Sequence, residues 1–191
     1  MQSKVQFTKK SFGFLSGEPV KIQTTNGQEV YNHMQFFDDS QWLVIDFRSE
    51  ECYSYYHLRN SINVPLDQLT LEEIVSFDES KFVSKYIHDK HQKMIFKARK
   101  RSMIILIPFE EESVNLLLDL PSLLRGGVIS EDHRTFTYND QASLVNTVFF
   151  KKMLQDQRHR HTYLCKSGMK QISSAYPSIC NFMHLEVTPQ Q

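Results

Sequence analysis

A chain of 191 residues has room for one substantial hydrophobic core. At 40% apolar and 12% aromatic residues it has ordinary globular composition, well clear of a disordered chain. Lys plus Arg and Asp plus Glu both number 22, so no global field draws the protein towards nucleic acid or anionic lipid, and any electrostatic function is local.

The first 24 residues mix Lys, Ser, Thr and Gly with isolated Phe and show no period; they read as an extension that drapes over the domain. They hold no apolar run of signal-peptide length, and no stretch of the chain approaches a membrane span. Asn26-Gly27 punctuates, and Val30, Met34 and Phe37 then recur at helical spacing, predicting a short helix over 28–37. Trp42 to Phe47 is a continuous apolar run interrupted only by Asp46, which suits a strand covered on both faces. Ser49 fits an N-cap with Glu50 and Glu51 in the first turn, where the helix dipole favours acids. Ile62 to Val64 reads as a second short strand.

Thr70 opens a capping-box pattern with Glu73 and begins a mostly helical region to about Arg99, broken near Phe77–Ser80. Met103 to Ile107, MIILI, is the most apolar run in the chain, and Pro108 ends it; the centre of a parallel sheet is where such a run belongs. Ser113 to Leu124 is helix-compatible but broken by Pro121, and residues 125–140 read as a long loop. Leu144, Val148 and Met153 mark another helix. His161 to Cys165 is the last strand expected, followed by a small helix near Lys170–Tyr176. Strands alternating with helices imply an α/β sandwich.

Three cysteines, Cys52, Cys165 and Cys180, are too few and too unevenly spaced for a disulfide framework or a zinc site. A reducing, cytoplasmic setting is the expectation, with no cofactor and no metal.

WLVIDFRSEECYSYYHLRNSINVP, residues 42–65, resembles the first motif block of the rhodanese-homology family, which reads roughly D-x-R, E-Y, G-H-I, A-x-N-x-P. Asp46, Arg48, Tyr53, His57, Leu58, Ser61, Asn63 and Pro65 fall on that frame without a gap. Cys52 stands where the family usually has an acid, and Tyr56 where it usually has glycine. LCKSGMKQISSAYPSIC, 164–180, is similar to the closing segment of the rhodanese-homology domains found with dual-specificity MAP-kinase phosphatases and ubiquitin-specific proteases. Leu164, Gly168, Ser173, Ser174, Tyr176, Pro177 and Cys180 match it in register. Gly168 is expected to permit a turn, and Tyr176-Pro177 to close the helix.

The resemblance implies a three-layer α/β/α sandwich with a mainly parallel central sheet. It divides the chain into an extension at 1–24, a domain at 25–180 with a basic helical insertion at about 70–101, and a tail at 181–191.

Active members of the family place a cysteine directly after the central strand, in a loop whose amides cradle an anionic sulfur. Here that loop reads Pro108, Phe109, Glu110, Glu111, Glu112, Ser113. It has no thiol, Pro108 lacks an amide hydrogen, and three carboxylates repel anions. The rival is CKSGMK, 165–170, with Cys165 as nucleophile and Lys170 in the position usually held by arginine; too little chain follows it for the rest of the fold. Cys165 therefore reads as a small residue ending the last strand. Asp46, Arg48 and His57 read as a scaffold: the acid and the base bridge the strand–helix turn, and the imidazole bonds to backbone.

Residues 85–101, KYIHDKHQKMIFKARKR, carry the one strong local field. The plain reading is a solvated helix face. The sharper one is a docking patch through Lys93, Lys97, Arg99, Lys100 and Arg101, addressed to a protein partner: a kinase, a ubiquitin-pathway protein or a scaffold. Nucleic acid and membrane are not expected partners. The function expected is a catalytically inactive interaction module; the alternatives are a sulfurtransferase or related thiol enzyme using Cys165, and a structural component of a cytoskeletal or ciliary assembly.

Overall fold

The computed structural model describes residues 4–6, 23–65, 68–108, 135–137, 140–159 and 161–183. Its frame is a five-stranded, all-parallel sheet of β2 (Thr24–Thr25), β3 (Trp42–Asp46), β5 (Ser61–Asn63), β6 (Met103–Ile107) and β8 (Thr162–Cys165), ordered β2-β8-β6-β3-β5. MIILI is the middle strand, as its composition predicts.

Both faces of each central strand meet apolar layers, which is why no polar alternation survives in their sequences. Leu43, Ile45, Ile104 and Leu106 enter one core, covered by α3 (Leu71–Val75), α4 (Glu79–Tyr86), α5 (Lys90–Lys97) and α6 (Asp140–Asp156). Trp42, Val44, Ile105 and Ile107 enter the other, beneath α1 (Gly27–Phe36) and α7 (Met169–Ala175). Helices on both faces make the three-layer α/β/α sandwich.

Phe150 of α6 anchors the first core. Its ring lies 5.3 Å from Phe47, 5.5 Å from Phe82 and 6.2 Å from Phe77. Aromatic pairs of this kind contribute roughly 0.5–1.5 kcal/mol each beyond their burial. The region 70–101 is thus a layer of the core: Ile74, Phe82, Tyr86, Ile95 and Phe96 are buried in it. It breaks at 76–78, overlapping the expected break at 77–80 in part, and again at 87–89, where Asp89 caps α5.

Local signals act as their chemistry requires. Asn26 accepts the Glu29 amide and Glu29 answers the Asn26 amide, each at 3.0 Å, closing a capping box on α1. Thr70 and Glu73 close the same box on α3. Ser49 caps α2 (Glu50–Tyr55) through the Cys52 amide.

Three expectations are corrected. The last strand is not Thr162–Cys165: β9 (Cys180–Phe182) follows and pairs antiparallel with β4 (Tyr56–Leu58), so the folded body continues past residue 180. Within the expected loop 125–140, β7 (Thr135–Thr137) pairs antiparallel with β1 (Lys4–Gln6), which draws on the N-terminal extension. Gly168 has φ −69° and ψ 152°, a conformation open to any residue, so its backbone does not require glycine. The proposed helix over 113–124 lies outside the described residues.

Candidate functional site

In open α/β sheets, ligands bind beyond the carboxyl ends of the strands. At that edge β6 ends at Ile107, whose carbonyl accepts the Phe47 amide at 2.9 Å, and buried Pro108 follows. Phe109, Glu110, Glu111, Glu112 and Ser113 lie outside the described residues.

Leu106 pairs with Leu164, so Cys165 stands level with Ile107 on the adjacent strand. Its side chain is fully buried in the second core with Val30, Met34, Met169 and Ile172. The thiol donates to the Ser167 carbonyl at 3.4 Å. A carbonyl faces the sulfur with its negative end, which disfavours a thiolate; an activating nest presents N–H groups instead. Ser167 has a second task beside it, accepting the Gly27 amide at 2.9 Å and tying the start of α1 to the β8–α7 turn. A Cβ at Gly27 would lie 3.1 Å from Ile172 Cγ1, so α1 approaches α7 closely. Lys170, on α7, is exposed.

The acid and the base of the first motif block meet at the end of β3. Arg48 Nε lies 3.0 Å from both Asp46 oxygens and its Nη2 donates to Oδ2 at 2.8 Å, while the Arg48 amide donates to Oδ1 at 3.0 Å. Both side chains are 1% exposed. The same guanidinium donates to the Tyr56 carbonyl at 2.6 Å and lies over the Tyr56 ring. His57 Nδ1 sits 2.9 Å from the Tyr53 carbonyl, and its ring stacks on Tyr53 at 4.1 Å. Tyr53 in turn donates to the Ser61 carbonyl, and Asn63 to the carbonyls of Asp46 and Arg48. Together these contacts tie β3, α2, β4 and β5 to one another, and five of them end on backbone carbonyls. The arrangement positions elements; it leaves the acid–base pair neutralised within itself.

No protein-family model matches the chain. Among solved structures it is similar to a single-domain sulfurtransferase of Saccharomyces cerevisiae, at 10% identity over 83% of this chain and 94% of that one, TM-score 0.43. It is also similar to the As/Sb reductase of Leishmania major, at 13% identity over 83% of this chain and 81% of that one, TM-score 0.47. Among curated proteins it is 34% identical over 77 residues to a probable rhodanese domain-containing dual specificity protein phosphatase of Dictyostelium discoideum. The curated similarity is confined to those 77 residues. The phosphatase match covers 38% of this chain and 16% of that protein's length.

The basic stretch divides. Lys97, Lys100 and Arg101 are exposed and Lys93 is half-buried. Arg99 is 7% exposed and does not belong to a docking surface. Its Nη2 donates to Glu79 at 2.6 Å and to Gln157 at 3.0 Å, and its Nη1 to the Phe96 carbonyl at 2.9 Å. That hydrogen bond holds the Glu79 carboxyl below its usual range. Charge runs hide such a residue because the partners, 20 and 58 positions away, are invisible locally.

His159 is the feature sequence reasoning missed. It is 5% exposed, and neither ring nitrogen makes a hydrogen bond with a side-chain or backbone partner of good geometry. Burial, with the Arg99 charge beside it, lowers its pKa to about 4, an effect that the nearby Arg99 backbone partly offsets. A histidine in the HRH run at 159–161 carries no signal of that burial. A groove of about 440 Å³ runs beside edge strand β5, lined by Tyr53, Ile62, Pro65, Tyr86, His88 and Gln92 among others. Gln92 and Tyr53 both donate to the Ser61 carbonyl there, which blunts that edge against a further strand. Among the described residues no cluster of three His, Cys, Asp or Glu could hold a metal, and no helix is long and apolar enough to cross a membrane.

Proposed function

We propose that the chain is a rhodanese-like domain that serves as a catalytically silent interaction and regulatory module, with a kinase or a ubiquitin-pathway protein as the class of partner. The observation that carries the reading is the setting of Cys165: a fully buried thiol bonded to a carbonyl, beside a central strand that runs into Pro108 and a sequence of three glutamates. A sulfurtransferase needs a thiolate that substrate can reach and amides that hold its charge. The carbonyl partner supports a structural thiol, and Asp46, Arg48 and His57 support a scaffold maintained for its shape.

The alternative enzyme would act through Cys165 with Lys170. One observation favours it: Cys165 ends its strand at the sheet edge where α/β proteins bind ligands. Alkylation of the folded protein separates the two. With iodoacetamide at neutral pH, peptide mass mapping should find half-exposed Cys52 labelled and Cys165 unlabelled until denaturant is added. Rapid labelling of Cys165 in the native state would contradict the silent reading.

A further inference from the structure

α5 and the turn after it carry a run of exposed residues. Lys90, His91, Met94 and Lys97 share the outward face, spaced three and four apart, while Ile95 and Phe96 point into the core. Lys100 and Arg101, in the turn directly after the helix, are exposed as well. Met94 is 57% exposed at its centre. α5 contains no acidic residue, and two carboxylates that flank it are already engaged: Asp89 caps the Gln92 amide at 2.9 Å, and Glu79 is bound by Arg99 at 2.6 Å. Glu79 also feels the Lys97 charge, yet Lys90, Lys97, Lys100 and Arg101 outnumber these two acids. Arg99, pinned beneath, fixes the turn on which Lys100 and Arg101 stand.

We propose that this face, Met94 framed by Lys90, Lys97, Lys100 and Arg101, is the docking site for an acidic protein segment that presents one aliphatic side chain. The proposal rests on the interaction-module reading and adds to it the chemistry of the partner. The cations supply attraction and orientation, and the polarizable, flexible thioether accepts an aliphatic side chain without demanding one shape. A nucleic acid or a bilayer would meet the same charge but has no use for a single central methionine. An acidic peptide with one leucine uses both.

The test uses the full chain, isotope-labelled, with a synthetic glutamate-rich peptide carrying one central leucine. Parallel arms use the same peptide with serine for leucine, polyuridylate, and phosphatidylserine vesicles. The leucine peptide should shift amide resonances over 90–101, bind about fivefold more tightly than the serine peptide, and weaken as salt is raised. Lys90→Glu with Lys97→Glu should weaken it about tenfold or more. Met94→Ser should erase the difference between the two peptides while leaving the fold's spectrum intact. Preference for polyuridylate or vesicles, shifts elsewhere on the domain, or equal binding of both peptides by the native protein would overturn the proposal. A domain silent in sulfur transfer that also ignores the leucine peptide overturns this surface alone and leaves the silent-module reading standing.

Discussion

Arg48→Met lowers the unfolding free energy by about 3–5 kcal/mol, because it leaves the Asp46 carboxylate buried without its bidentate partner. Native domains are stable by about 5–15 kcal/mol in total, so urea denaturation will register a large fall in midpoint. Both side chains are 1% exposed, and the Arg48 guanidinium also holds the Tyr56 carbonyl, so β4 loses its tether to the end of β3. The double variant Asp46→Leu with Arg48→Met should lose less than Arg48→Met alone, since it removes the stranded charge along with the pair. A catalytic acid–base pair would show the opposite pattern: mild effects on stability and a severe effect on an activity. If Arg48→Met unfolds with the native midpoint, the scaffold role is wrong.

Acid weakens the fold through His159 by about 3 kcal/mol between pH 6.5 and pH 4. In the folded state burial holds this imidazole neutral down to about pH 4, whereas the unfolded chain takes up a proton near 6.5. The unfolded state therefore binds more protons throughout that window. The contribution is complete above 6.5, declines as pH falls, and is gone below about 4. Arg99 and Lys100 press positive charge towards the ring and Glu79 offsets part of it, so a protonated His159 has no settled place between α5, α4 and the end of α6. Urea midpoints measured at several pH values on native protein and on His159→Leu isolate the effect from that of the carboxylates. The variant should show a shallower acid dependence. Parallel curves for the two proteins would show that His159 does not titrate as its burial implies.

Strong local signals were legible in the chain and the distant ones were not. MIILI and WLVID announced a doubly covered sheet because each strand faces apolar layers on both sides, and Thr70 with Glu73 announced a helix start because a capping box is closed within four residues. Asp46, Arg48, Tyr53, His57 and Asn63 stand out in the chain as a motif, and only the distances show them bonded to one another and to backbone. β4 and β9 are three residues each, too short to show alternation, and become strands only by pairing across 124 positions, His57 with Asn181. Arg99 looked like part of a solvated charge run, yet Glu79 and Gln157 draw it inside. The opposite held at Met94: a periodic pattern counts any apolar residue as core, and only coordinates reveal that this one faces outward.

Sulfur transfer from thiosulfate to cyanide, followed as thiocyanate, measures the central claim most directly, using native protein and Cys165→Ser side by side. The account predicts that neither exceeds the uncatalysed rate at neutral pH. Turnover by the native protein that vanishes in Cys165→Ser would contradict it, and would make the thiol at the end of β8 a nucleophile.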